Sequence, residues 1–311
     1  MVRVMYLHVH FCGTGENVQD FLTVSNFDYL SQNPQVSTLY VNGCHDQEVC
    51  NAVINPNLNK FAKRFMKAFE LIEEGPNKGK LKLKGDLNTL RGLGIGITEF
   101  STVRGQNPDD FIIDDITLTG FSRGGVTCFE VARELQRLES KGKKKADGFT
   151  PVDIIAAEPV PGNAYNGPGT NAHSIADCSD LRNLRQTSII LGAYTSERFD
   201  EEDKSKGRSL YHRGFFSQIV PKLPFLTKKT LIITPRASHF DVRYNMPSSI
   251  NHMHLQLAQY SLEKHLVSEQ TLALKKHEVE LPYKRYNYTL SPMVTEDKDI
   301  QWLKLYAEVK G

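Results

Sequence analysis

Residues 111 to 140 constrain this chain more than any other stretch. Phe111 to Thr119 (FIIDDITLT) is rich in β-branched side chains and runs without a break into Gly120-Phe121-Ser122-Arg123-Gly124-Gly125. Directly behind it, VTCFEVARELQRLES spaces its apolar residues at helical intervals. A Gly-x-Ser-x-Gly pattern between a strand and a helix forces a sharp turn, in which glycines remove the Cβ atoms that would collide and the serine stands at the carboxyl edge of the sheet. The bare pattern arises by chance in roughly one chain in ten of this length. The strand before it and the helix after it give it meaning as a nucleophile elbow.

The rest of the chain alternates in the same way. Val2 to Phe11 predicts a first strand, stopped at Cys12-Gly13-Thr14-Gly15, and Val36 to Val41 (VSTLYV) a second. Phe61, Phe65, Phe69 and Leu71 predict an amphipathic helix from Asn57 to Glu74 that ends at Gly75-Pro76. The lysine- and glycine-rich stretch from Lys78 to Gly96 has no clear period. Short apolar runs follow at Val152 to Ala157, Thr187 to Tyr194 and Thr230 to Thr234, each suited to a strand buried on both faces. Ser248 to Val267 predicts a closing helix with Leu255, Leu257, Tyr260 and Leu262. Strands separated by helices predict an α/β fold with a mostly parallel sheet flanked by helices on both faces. With 311 residues, 40% of them hydrophobic, and no internal repeat or long linker, one domain over residues 1–311 is expected, with 271–311 as a C-terminal appendage.

Charge excludes some partners. Lys plus Arg number 38 and Asp plus Glu 36, a net charge of +2 that supplies no global field for nucleic acid, so any basic surface is local. The five cysteines, Cys12, Cys44, Cys50, Cys128 and Cys178, form neither a CxxC pair nor a zinc-spaced cluster, although Cys44 and Cys50 are near enough in sequence to bridge. A reducing compartment fits this usage. His8 and His10 interrupt the N-terminal apolar run, so it lacks the core of a signal peptide, and no run approaches a membrane span. The expectation is a cytoplasmic chain where it is made, with no metal and no organic cofactor.

A serine hydroxyl needs a base, and in this arrangement the chain order is serine, acid, histidine. His239 follows the strand TLIIT after a short loop, whereas His252, His254, His265 and His277 lie on or beyond a helical pattern and His212 has no strand before it. His239 is therefore the expected base. For the acid, Glu158 directly follows VDIIAA and is held by Pro159 and Pro161, which makes it the first choice. Glu197 is the second, ahead of Asp200, Glu201, Glu202 and Asp203, which form an acidic loop, and of Asp241, which is too near His239 in sequence. The oxyanion hole would use the N–H of Arg123 together with a donor from the early turn, Gly13 or Thr14.

These residues resemble the type VI secretion lipase effectors of the GFSRGA class, within the α/β-hydrolase superfamily. Their FDGTxN motif is similar to Phe11-Cys12-Gly13-Thr14-Gly15-Glu16-Asn17, and their elbow matches Gly120 to Gly125 at five of six positions. Looser counterparts are Glu158-Pro159-Val160, Ser196-Glu197-Arg198-Phe199 and His239-Phe240-Asp241-Val242, so the resemblance spans residues 2 to 245. It implies an α/β-hydrolase acting on a phospholipid or another acyl ester, with Ser122 and His239 in catalytic positions. It also implies a bacterial effector delivered by a dedicated secretion machine. Two departures stand out: Cys12 replaces an aspartate in the early motif, and Arg243-Tyr244 replaces a Gly-Gly pair.

Two features bear on a lipid substrate. Phe215-Phe216 and Val220 to Leu226 form an apolar stretch with flanking lysines that suits a lid or an interfacial segment, or else a loop packed on the core. The run Lys141-Gly142-Lys143-Lys144-Lys145 suits anionic lipid or simply water. Peripheral membrane contact is thus among the expected partners, beside a small-molecule or lipid ester. The rival to a serine esterase is an inactive hydrolase fold serving as a binding module. Acyl transfer to an acceptor other than water would use the same residues, and a cysteine hydrolase built on Cys12 lacks an elbow around it.

Overall fold

A computed structural model describes residues 3–13, 16, 27–31, 33–43, 62–84, 97–100, 111–142, 148–160, 177–193, 219–235, 249–280 and 303–306. The strands are β1 (Arg3–Phe11), β2 (Val36–Val41), β3 (Phe69–Leu71), β4 (Leu81–Leu83), β5 (Ile97–Phe100), β6 (Phe111–Phe121), β7 (Val152–Ala157), β8 (Leu184–Ala193), β9 (Lys228–Pro235) and β10 (Leu303–Tyr306). The helices are α1 (Asp28–Ser31), α2 (Arg123–Gly142), α3 (Ser249–Glu263) and α4 (Glu269–Glu280). The strands join in one sheet in the order β10-β9-β8-β7-β6-β1-β2-β5. Every pairing along the path from β10 to β2 is parallel, and β5 runs antiparallel at the edge beside β2. The β3–β4 hairpin attaches off this path, through Leu81 opposite Ile113.

Helices cover both faces, and the period-two alternation of the strands divides the core between them. Leu7, Val9, Phe11, Ile116, Leu118, Ile154 and Ala156 pack with Phe129, Val131, Ala132 and Leu135 of α2. Phe121, Ile155, Ala157, Ile190 and Ile232 pack instead with Ile250, Met253, Leu257 and Tyr260 of α3. The chain is therefore an α/β protein with a mostly parallel sheet between helical layers, as the sequence predicts.

One expected element differs. The segment read as a helix from Asn57 to Glu74 is helical only over 62–65 among its described residues, tightens to a 3-10 turn at Met66–Ala68 and then becomes β3. Phe69 and Leu71 alternate as well as they space helically, and Leu83 and Leu81 are their cross-strand partners. The hairpin satisfies the backbone through the sheet, and Gly75, at φ +81°, takes the turn that a side chain would resist. Phe65 and Phe69 still meet in the core edge to face, with centroids 5.4 Å apart. The tail beyond 271 continues α4, and β10 pairs in parallel with β9.

The α3 face of the sheet also buries polar groups beside its apolar cluster. The Thr119 hydroxyl lies 2.9 Å from both His8 Nε2 and His10 Nδ1. Phe27 stacks on His254 with centroids 4.3 Å apart and meets the ring of His8 edge on. Lys264, just past α3, bonds Asp115 at 2.6 Å, Asp153 at 2.7 Å and Thr117 at 2.9 Å, while Arg185 donates to both carboxylate oxygens of Asp153 at 2.9 and 2.6 Å. Ser188 donates to Gln256 at 2.9 Å, and Gln186 to Glu263 at 2.8 Å. Buried polar groups cost free energy unless paired, so these contacts add directional constraints on the position of α3 to the apolar packing beneath it.

Candidate active site

Ser122 occupies the turn between β6 and α2 with φ at +54°, in the left-handed region that a non-glycine residue adopts at a cost. Three contacts hold it there. Its N–H donates to the Ala157 carbonyl at 3.0 Å, and its carbonyl accepts from the N–H groups of Val126 and Val160, each at 3.3 Å. The glycines around it are required by close approach. A Cβ on Gly120 would lie 2.4 Å from the Gly124 backbone, and one on Gly124 would lie 2.1 Å from the Phe11 carbonyl oxygen. The elbow is thus wedged against the end of β1, and the spacing Gly-x-Ser-x-Gly follows from backbone packing on two sides.

Glu158 has the same unusual conformation, φ +50°, at the end of the next strand. Phe121 and Ala157 are register partners, so Ser122 and Glu158 are the residues just past one rung of the ladder. Neighbouring strands lie about 4.8 Å apart. Glu158 is 0% exposed and Ser122 only 7%. The Glu158 N–H donates to the Ile190 carbonyl at 2.7 Å, which ties it also to β8. Among the described residues only Ser122, Glu158 and His265 are non-glycines with positive φ, and two of the three stand side by side at the carboxyl edge of the sheet.

Gly13 reaches the same place from β1, which lies beside β6. A Cβ there would fall 2.8 Å from the Phe121 ring. Its N–H donates to the Glu16 carboxylate at 2.7 Å, while the Glu16 N–H returns to the Gly13 carbonyl at 3.1 Å. The backbone bond closes a four-residue turn, and the carboxylate returns to the amide at its start. Glu16 is not among the site residues that the sequence predicts, and its place three positions after Gly13 is the one signal of it. Gly43 packs so tightly on this turn that a Cβ would lie 1.6 Å from the Gly13 oxygen. Arg123 is the first residue of α2, so its N–H belongs to the helix N-terminus, where negative charge is favoured.

Among the predicted site residues, Ser122, Arg123, Glu158 and Gly13 therefore converge on one edge. His239, Glu197 and Thr14 lie outside the described residues, as do Cys44 and Cys50. His252 and His254 are packed inside α3, and burial pushes their basicity down, to about 4 for His252 and about 3 for His254, where Lys275 and His8 add to the effect. His265 and His277 are exposed. Cys12, Cys128 and Cys178 are buried cysteines outside any disulfide, and burial raises Cys178 to about 12, which leaves it inert.

The apolar segment before β9 departs from the lid expectation. Ile219, Val220 and Leu223 are buried in the core, while Phe225 and Leu226 project from a turn at the amino edge of β9. Ser122 stands at the carboxyl edge of a parallel sheet, so this turn is on the opposite rim and does not cover it. Among the described residues, no group of three or more His, Cys, Asp or Glu could hold a metal, and no helix is long and apolar enough to cross a membrane.

No protein-family model matches the chain, and no curated protein matches it. The motif resemblance to the lipase effectors therefore stands without a family match. Among solved structures the chain is similar to esterase B from Lactobacillus rhamnosis, determined as an inhibited form, at 14% identity with a TM-score of 0.37, over 89% of this chain and 80% of that one.

Proposed function

We propose that this chain is a serine hydrolase that cleaves an acyl ester, of the lipase or phospholipase kind, through an acyl-enzyme on Ser122. The observation that carries the reading is the left-handed Ser122 held between Gly120 and Gly124, neither of which tolerates a Cβ, at a strand-to-helix turn. Strain of this kind persists only where the surroundings enforce it, and it clusters at sites of chemistry.

In the proposed reaction the Ser122 Oγ attacks the ester carbonyl carbon as His239 takes the hydroxyl proton. The tetrahedral oxyanion is held by the Arg123 N–H and a second amide of the early turn. Collapse expels the alcohol, which leaves with the proton from His239, and a water then attacks the acyl-enzyme with its proton passing to His239. The carboxylic acid departs and Ser122 regains its proton. Chain length supports His239 as base. β9 ends at Pro235, three strands from β6, or about 14 Å at 4.8 Å per strand, and four residues span up to about 14 Å. Glu158 is the preferred acid because it is buried, strained and one strand from Ser122, with Glu197, four residues beyond β8, as the second choice. The Gly13 N–H is engaged by Glu16, so its use as oxyanion donor requires that carboxylate to yield.

The test is labelling with a fluorophosphonate probe. Wild-type protein should label, and Ser122→Ala and His239→Ala should not. Folded wild type that fails to label would overturn the hydrolase reading in favour of a binding module. Labelling should survive Glu197→Gln and fall in Glu158→Gln; the reverse would move the acid to Glu197.

A further inference from the structure

We propose that the turn from Pro224 to Thr227 is a membrane-docking tip that places Phe225 and Leu226 in the interface of an anionic bilayer. The turn is closed by the Thr227 N–H donating to the Pro224 carbonyl at 3.2 Å, and the Thr227 hydroxyl anchors it to the Leu184 carbonyl at the start of β8, at 2.9 Å. On this fixed base Phe225 is 95% exposed and Leu226 90%, while Leu223 just before them is buried. Water solvates two adjacent large apolar side chains poorly, and a pair held on a rigid turn gives up little further conformational entropy on insertion.

Shape and charge favour lipid over protein as the occupant. The two side chains are convex and offer roughly 400 Å² between them, below the roughly 800 Å² per partner of a specific protein interface, whereas a fluid bilayer needs no matching pocket. From Ile219 to Thr230 the chain carries Lys222, Lys228 and Lys229 and no acidic residue. Lys229 donates to the Leu223 carbonyl at 3.4 Å, at the foot of the tip. Among the described residues, acids near this group are Asp177, beside Lys222, and Glu263, whose carboxylate is 3.9 Å from the largely exposed Lys228, a separation at which solvent screens most of the attraction. Lys141, exposed in the last turn of α2, leads towards the same amino edge of the sheet. Lysines around an apolar tip can keep their ammonium groups at the headgroups while their stems follow the apolar side chains inward.

Docking in this orientation points the carboxyl edge, with Ser122, away from the bilayer by about 26 Å, the length of the eight residues of β9. An ester would then reach the elbow from the aqueous side. That consequence rests on the hydrolase reading; the docking itself does not.

The experiment is sedimentation of the full chain with vesicles of phosphatidylglycerol and phosphatidylcholine in equal parts, against phosphatidylcholine alone, in the Ser122→Ala background so that turnover plays no part. Binding should require phosphatidylglycerol and weaken as salt rises. Phe225→Ser with Leu226→Ser should lower the partition coefficient at least about 10-fold, taking half of each side chain as transferred from water. In a Trp302→Phe background, Phe225→Trp should shift its emission to the blue on vesicle addition, which reports insertion directly. No vesicle binding by folded protein, equal binding by the double-serine variant, or an unshifted tryptophan would each overturn the proposal. So would self-association that the double-serine variant abolishes without vesicles, which would assign the tip to a second copy of the chain. Fluorophosphonate labelling of the wild type is scored separately, so a failure of docking and a failure of the hydrolase reading remain distinct.

Discussion

Lowering the pH from 7 to 5 should destabilise this protein steeply, because four histidines are buried in states that resist protonation. Burial is the main cause for each. It lowers His8 to about 3, with Lys264 contributing, His254 to about 3, with Lys275 and His8 contributing, and His252 to about 4. His10 is also held well below its ordinary value, by burial and then by His8 and His254. The ordinary value of 6.5 applies in the unfolded chain, so between pH 6.5 and about 4 the unfolded state takes up protons that the native state refuses, and stability falls with pH. At pH 5 the loss relative to neutral pH is about 2 kcal/mol for each of His8, His252 and His254, hence about 6 kcal/mol for the three, and His10 adds in the same direction. A domain typically has about 5–15 kcal/mol in total, so unfolding near pH 5 is within reach. Denaturant titrations at pH 7, 6 and 5 measure this. His254→Phe is the informative variant, since the ring stacks on Phe27 and its Nδ1 has no hydrogen-bond partner among the described residues. The variant should recover about 2 kcal/mol of the loss between pH 7 and pH 5. Equal pH dependence in His254→Phe and wild type, or a wild type indifferent to this pH range, would refute the reasoning.

Ser122→Gly should be about 1 kcal/mol more stable than Ser122→Ala by thermal melting, because only glycine adopts φ +54° without strain, while neither variant labels with a fluorophosphonate. Gly124→Ala, with its Cβ driven to 2.1 Å from the Phe11 oxygen, should cost more than about 2 kcal/mol in denaturant and reduce labelling, since β1 and the elbow must separate. Lys264→Met should cost about 3–5 kcal/mol, because it leaves Asp115 and Asp153 buried with Arg185 alone, and exchange of α3 amides should rise with it.

Local chemistry made the sheet and the elbow legible in the sequence. β2 and β7 begin and end where their apolar runs do, and the strand–Ser122–helix unit is as expected because glycine spacing, strand propensity and helical period all agree over contiguous residues. The strand at Phe69–Leu71 is not legible in the sequence because Phe65, Phe69 and Leu71 satisfy both a helical and an alternating pattern, and the partner strand Leu81–Leu83 distinguishes the two. The polar groups buried on the α3 face were missed for a related reason. His8, His10, Asp115 and Thr119 alternate along their strands as solvent-facing residues would, and no local rule says that α3 returns to cover them.

What the sequence determined by itself is the set of parts: a serine in a glycine-flanked turn, an acid behind a buried strand, and an apolar pair followed by lysines. Tertiary structure decided how the parts are arranged. Parallel pairing of β6 with β7 puts Ser122 beside Glu158 at one edge of the sheet, and parallel pairing onward through β8 to β9 puts Phe225 and Leu226 at the other. The division has one physical origin, since turns and strands are specified by neighbours a few residues away, whereas which edge a loop occupies depends on strand direction, set by pairings between residues distant in the chain.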